Sequence, residues 1–236
     1  MLARAAAAFN PAIESLTCFD CGTHHEVGRL LSTCESCGLP LRVNLRLQPD
    51  TDPDSMIDRS SSSLWRYRGV LPVRPEAAVS LTEGWTPLVQ VDTSTWIKDE
   101  ARNPTGSFKA RGMSMAVSAA VALGVRRLVA PSAGNAAGAL AAYGAAAGVE
   151  VLVAMPVDTP RAFVEECRQY GAQVELVPGT IADSGRWVAD NRSPGDFDLS
   201  TLKEPFRVEG KKTMGYELWE QFHGRRIVAC GADELL

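Results

Sequence analysis

A chain of 236 residues with 45% apolar and 22% charged content is long enough for one large domain, or two small ones, around a buried core. That balance excludes wholesale disorder and collagen-like or mucin-like composition. The net charge is −4, and the 24 Lys and Arg are spread along the chain, which argues against nucleic acid or an anionic membrane as partner and favours small molecules or further copies of the chain.

The chain begins with Arg4, four alanines and Phe9, an apolar run too short for a signal sequence and ended by Asn10-Pro11. The most hydrophobic stretch, Met113 to Val153, is interrupted by Gly, Ser, Asn and Arg, so no membrane span is expected. The reading is a cytoplasmic protein.

Residues 1–47 differ in kind from the rest. Cys18-Phe-Asp-Cys21-Gly22 is followed by Cys34-Glu-Ser-Cys37-Gly38. Two close cysteine pairs match the tetrahedral demand of a structural Zn²⁺, and Gly22 and Gly38 let the chain turn so that amides face the sulfurs. Cys18, Cys21, Cys34 and Cys37 are therefore the expected metal ligands of a zinc-ribbon β module. Free thiols or a redox pair are the alternative, and neither accounts for two matching units. With four sulfurs completing the sphere, His24 and His25 read as exposed loop residues. Cys167 and Cys230 read as buried.

Residues 48–76 read as a linker, polar and turn-rich from Pro49 to Ser63. A short amphipathic helix over Leu64 to Gly69 is capped by the serine run, and its aromatic pair packs on the next domain.

Residues 77–236 alternate. Strand-like runs at Thr95–Lys98, Arg127–Ala130, Val149–Met155, Gln173–Val177 and Ile227–Ala229 flank helix-like stretches at Ser107–Leu123, Asn135–Ala147, Pro160–Tyr170 and Thr180–Asp190. Gly124, Gly148 and Gly171 fall where helix ends need a positive φ. This predicts an α/β domain with a mainly parallel sheet and helices on both faces, its chemistry at the strand-to-helix turns.

Two turns carry that chemistry. Asn103-Pro-Thr-Gly-Ser-Phe-Lys109-Ala-Arg111-Gly112 places Lys109 near the first turn of a helix, where the helix dipole and Arg111 both favour the neutral amine that condenses with an aldehyde. On its own such a lysine is more often solvated or salt-bridged. Pro131-Ser132-Ala133-Gly134-Asn135 forms an anion-receptive lip at the next helix start, or on its own an ordinary cap.

Together the two turns resemble the pyridoxal-phosphate enzymes of the tryptophan-synthase-β structural class, and among them the threonine synthase family. Leu81-Thr82-Glu83-Gly84-Trp85-Thr86-Pro87-Leu88 is similar to that family's Gly-Glu-Gly-x-Thr-Pro-Leu motif, with Thr82 in place of the first glycine. Leu202 to Thr213 is similar to the family's stretch ahead of its phosphate loop, and several members begin with a zinc ribbon. The resemblance covers Leu16 to Phe222, and the lysine motif is shared with threonine dehydratase and cysteate synthase relatives.

The resemblance implies pyridoxal 5′-phosphate held by Lys109, which would then move protons on the substrate. It implies Phe108 beside the pyridine ring, Asn135 on the ring oxygen, and Ser132, Ala133 and Gly134 around the substrate carboxylate. Thr86, Lys211 and Lys212 would help hold a substrate phosphate, or serve as surface and capping residues. The implied reaction is the lyase conversion of O-phospho-L-homoserine to L-threonine and phosphate.

Where the family carries a glycine-rich loop for the cofactor's phosphate, the chain has a lone Gly231 followed by Asp233 and Glu234, which would repel a phosphate. The expectation is a chain truncated in its carboxyl-terminal half, by a frameshift near Arg225–Cys230 or a split gene. Three functions follow: an enzyme whose missing half comes from a complementing chain, a non-catalytic or weakly cofactor-binding remnant, or a zinc-ribbon interaction module; a homo-oligomer is the other partner considered.

Overall fold

The computed structural model describes residues 7–48 and 50–222. Near the amino terminus, β1 (Ile13–Cys18), β2 (His24–His25) and β3 (Leu41–Leu45) form an antiparallel sheet in the order β2-β1-β3. Then β4 (Leu88–Gln90) and β5 (Trp96–Lys98) pair as a hairpin. The run expected at Thr95–Lys98 thus lies outside the parallel sheet, because a tight return, closed by Val91 N–H on Thr95 O at 2.9 Å, folds it back on its neighbour.

The main sheet has the order β8-β7-β6-β9 and is wholly parallel, with β6 Arg127–Pro131, β7 Glu150–Pro156, β8 Gln173–Val177 and β9 Phe197–Asp198. The helices are α1 (Lys109–Ala122), α2 (Asn135–Ala147), α3 (Arg161–Gln169), α4 (Ile181–Asn191), α5 (Arg207–Lys211) and α6 (Thr213–Gln221). From Val151 to Pro156 every β7 residue is buried, as a central parallel strand covered on both faces requires. Val151, Val153 and Met155 face α1, α2 and α3 through Met113, Leu140, Tyr143 and Val164. Leu152 and Ala154 face the other way, onto Val129, Val177 and Val188 of α4. The two-sided cover expected from the alternation is present. Gly124, Gly148 and Gly171 end their helices with φ of 85°, 64° and 83°.

The short helix expected over Leu64 to Gly69 is a 3-10 helix, Leu64–Val70, capped by Ser63, and its aromatic pair Trp65 and Tyr67 is buried as expected, as are Leu64 and, in the residues read as linker beyond it, Leu71 and Val73. Leu16, Cys18, Leu31 and Leu41 of the amino-terminal module share one hydrophobic cluster with those residues. The Phe9 ring lies 5.9 Å from that of Phe206. Apolar side chains from both segments leave water together, which polar turn composition alone does not reveal.

Glycine sets one crossing that matters for the site. A Cβ at Gly210 would lie 2.0 Å from the Arg111 carbonyl oxygen, and one at Gly112 would lie 3.1 Å from that of Arg207. Backbone therefore meets backbone where α5 crosses α1, and Arg207 and Lys211 are carried to the start of α1. The strand expected at Ile227–Ala229, Cys230 and the segment around Gly231 lie outside the described residues.

Candidate functional site

Lys109 opens α1, its amide 3.4 Å from Ser107 Oγ. Its Nζ lies 3.6 Å from the centroid of the buried Phe108 ring, and Lys211 Nζ lies 5.3 Å from the same centroid. Half-burial, then the charges of Arg207 and Lys109, pull the Lys211 ammonium down to about 8. Lys212 spends its charge on Glu209, 2.5 Å away. Of the two lysines considered for a phosphate, only Lys211 reaches the Lys109 neighbourhood.

The turn before Lys109 is strained. Thr105 sits in the left-handed region at φ 64°, and its buried Oγ1 has no hydrogen-bond partner among the described residues. Such a conformation costs a non-glycine residue roughly 1–2 kcal/mol, and strain of this kind collects where a fold holds a functional loop. This turn, Pro104–Gly106, packs against α2.

At the end of β6, Ser132 N–H bonds the Ala154 carbonyl at 3.0 Å, so that amide is spent. Beyond it, Gly134 caps α2 in an extended conformation and no side chain caps the helix. A Cβ at Gly134 would meet nothing within 4 Å. The first amides of α2 thus carry the helix's partial positive charge at a turn of Ala133, Gly134 and the exposed Asn135, with no side-chain cap among the described residues. The Pro104–Gly106 turn ahead of Lys109 thus packs on the same helix that the Ser132–Asn135 turn leads into.

Arg111 does not act as the sequence suggested. It is fully buried and bound on both sides: Nη1 and Nη2 donate to Glu217 at 2.5 and 2.8 Å, and Nε and Nη2 donate to Glu100 at 2.7 Å each. Lys98 Nζ completes the cluster at 2.7 Å from Glu217. Burial works against the Glu217 carboxylate, but Arg111 and Lys98 outweigh it and hold its pKa below the usual range. With two carboxylates against it, the guanidinium is neutralised where it stands. Residues i and i+2 also diverge around a helix, so Arg111 faces away from Lys109. Thr86, expected to line the substrate site, belongs to this cluster: it is 2% exposed, and its hydroxyl donates to Glu100 at 2.6 Å.

Glu83 was legible only as a motif letter. It is wholly buried and accepts from Trp65 Nε1 at 2.9 Å, Ser114 Oγ at 2.7 Å and Tyr143 Oη at 2.6 Å. It ties the motif loop to α1 and α2.

The four cysteines converge. Their sulfurs lie within 4.8 Å of one another, with Cys18–Cys37 at 3.4 Å, Cys21–Cys37 at 3.5 Å and Cys21–Cys34 at 3.6 Å. Four thiolates on one tetrahedral ion of zinc size stand ~3.8 Å apart, so the set fits a metal. Gly22 and Gly38 take φ of 70° and 75°, and the amides of Asp20 and Ser36 each reach a sulfur at 3.4 Å. His24 is exposed as expected, whereas His25 is not, and neither lies in a loop. Both lie in β2, where alternation sends His24 outward to the Thr17 hydroxyl at 3.0 Å and buries His25 at 8% exposure.

A cleft of about 880 Å³ opens elsewhere, between Arg66, Trp85, Trp96 and Trp219, and is lined by none of the residues expected to bind cofactor, substrate or metal. The donor set around Lys109 fits an aldehyde cofactor carrying an amino acid: an amine beside an aromatic ring, an uncapped helix start for a carboxylate, and an orphaned buried hydroxyl at Thr105.

Comparison with known proteins agrees with that chemistry. The family described as pyridoxal-phosphate dependent enzyme matches residues 79–232. The chain is 33% identical over 215 residues to threonine synthase of Methanosarcina acetivorans, covering 87% of this chain and 53% of that protein. For threonine synthase of Methanocaldococcus jannaschii the figures are 33% over 218 residues, 87% and 54%. The chain thus spans about half the length of these curated relatives. Among solved structures, a variant of O-ureido-L-serine synthase with O-ureido-L-serine bound is similar with a TM-score of 0.54 and 25% identity, over 64% of this chain and 51% of that one. A hydrogen sulfide-producing enzyme from Fusobacterium nucleatum shares the fold with a TM-score of 0.53 and 20% identity, over 59% and 51%.

Proposed function

The chain belongs to the pyridoxal-phosphate dependent enzyme family, and from that premise we propose that it serves the conversion of O-phospho-L-homoserine and water to L-threonine and inorganic phosphate. The observation that carries this reading is the pairing of Lys109 and Lys211 over Phe108, beside a helix start left open for a carboxylate. An amine that takes an aldehyde and a second cation that takes a phosphate are what such a substrate requires. The 33% identity to threonine synthases supports the same substrate class.

In this reading Lys109 would hold the cofactor through its aldehyde, with Phe108 and Asn135 as further residues that would bind it. Pyridoxal phosphate, when bound, supplies a ring that accepts the electron pair freed at the amino acid's α carbon. Lys109 Nζ takes and returns protons on the substrate carbons. The amides of Ala133 and Gly134 and the Ser132 hydroxyl orient the carboxylate. Lys211 steadies the departing phosphate as a charged donor.

Among the described residues no group is assigned to the cofactor's own phosphate or ring nitrogen. The metal of the cysteine site is zinc in this reading, and four thiols kept for a metal suit the reducing cytoplasm. No described helix is long and apolar enough to cross a membrane.

The test is to incubate the purified chain with pyridoxal phosphate, remove excess by dialysis, and record the visible band beside a Lys109→Ala control. Phosphate release from O-phospho-L-homoserine is then measured against O-phospho-L-serine and L-threonine. A band lost in the control and release confined to the first substrate support the reading. No retained band in the presence of any complementing chain sinks it, and release from the other amino acids reassigns the substrate.

A further inference from the structure

The position of His25 points to a role that the four-cysteine pattern did not suggest. Its Nε2 lies 3.4 Å from Cys34 Sγ, and its Nδ1 lies 3.6 Å from Glu35 Oε2. Glu35 is itself held by Arg29 through two bonds, 3.0 and 2.7 Å long. The ring is fixed from behind by β2, which pairs His25 with Leu16 of β1. Arg29, Glu35, His25 and Cys34 thus form a chain of contacts running from the surface to a sulfur that is 3% exposed.

His25 is close to the cage but not part of it. The group whose ligand atoms all lie within 4.8 Å of one another contains the four cysteines and no histidine. A metal-bound thiolate has no proton to give. The contact between Cys34 Sγ and Nε2 is then attractive only when the nitrogen carries the hydrogen, and the ring is the donor. A divalent ion with four thiolates carries two net negative charges beside the shared hydrophobic core, and each N–H directed at a sulfur spreads part of that charge. The Asp20 and Ser36 amides do so from the chain itself. His25 does so from a neighbouring strand.

We infer that His25 is a positioning residue of the cysteine metal site: its Nε2–H donates to Cys34 Sγ, holds that side chain in its ligating orientation, and slows loss of the metal without binding it.

Cobalt(II) is the probe, because its bands report both the ligand set and the sulfur-to-metal charge transfer. Full-length chain is freed of metal, titrated with Co²⁺, and challenged with a chelator to measure release. His25→Phe keeps the ring volume and removes the donor, and His25→Gln keeps an N–H. The expected result is a four-sulfur spectrum in the parent and both variants, with affinity about 10–100-fold weaker and release correspondingly faster in His25→Phe, and most of the loss recovered in His25→Gln. Should His25→Phe fail to fold, His25→Leu, which also removes the donor while leaving every sulfur in place, must show a shift in the same direction. Parent-like affinity and charge-transfer energy in His25→Phe overturns the inference. So does a parent spectrum with a nitrogen ligand that His25→Phe abolishes, because the ring would then be a ligand.

Discussion

Lys109 and Lys211 stand over one aromatic ring, their ammonium nitrogens 3.6 and 5.3 Å from the centroid of Phe108. They are 102 positions apart in the chain, and the close crossing of α5 on α1 brings them together. A half-buried cation at Lys211 favours an anion bound beside it.

Lys211→Gln should therefore weaken the binding of phosphate-bearing amino acids by about tenfold, the scale of one charged hydrogen bond. Lys212→Gln, which loses only the contact to Glu209, should leave it unchanged. Lys211 is held down to about 8, so its charge is present below that pH and lost above it. Competition by inorganic phosphate should weaken as pH rises through about 8 in the parent and lose that step in Lys211→Gln. Equal competition in the two proteins across this range would remove Lys211 from the site.

Arg111→Met leaves Glu217 buried without its main partner. Breaking a buried pair from one side costs about 3–5 kcal/mol, and the denaturation midpoint should fall accordingly. Glu100 is partly exposed at 14%, so Glu100→Gln should cost less. Urea titrations of the two variants check the order.

Burial raises the Glu204 carboxyl to about 7 against the pull of Arg207 and the amides of Phe206 and Arg207. The folded state then holds this proton more tightly than the unfolded chain, whose carboxyl titrates at 4.5. The stability it contributes is complete below 4.5 and is lost as pH rises through about 7, an effect on the order of 3 kcal/mol. Glu204→Gln cannot ionise, so the parent should lose stability relative to the variant across that interval. Parallel pH profiles would contradict this.

Thr82 keeps a left-handed backbone, φ 70°, at the position where the resembled motif has its first glycine. A threonine there is strained by roughly 1–2 kcal/mol, part of which glycine gives back through unfolded-chain entropy. Thr82→Gly should raise the thermal midpoint modestly, by up to ~1 kcal/mol of stability. A drop would mean that the Thr82 hydroxyl bond to the Leu81 carbonyl, 2.5 Å long, outweighs the strain.

Much of the candidate site was legible because its signals are local. The Cys-x-x-Cys-Gly units carry their own turn, and the Asn-Pro-Thr-Gly-Ser-Phe-Lys run carries its own helix start. Strand and helix alternation after residue 77 set the fold class, since burial on both faces of β7 demands a continuous apolar run. His25 was misread because a two-residue strand leaves no periodicity to detect, and β9 went unseen for the same reason. Leu71 and Val73 were left in the linker because two apolar residues set among prolines show no period.

By itself, the order of residues determined which segments turn, which cap and which cysteines can share an ion, because those outcomes depend on neighbours a few positions away. Only the tertiary structure decided that Arg111 serves Glu217 rather than Lys109, and that Lys211 rather than Lys212 joins Phe108. Those pairings depend on how α5 and α6 cross α1. The crossing is set by packing and by the close approach that Gly112 and Gly210 permit, and no local spacing encodes it.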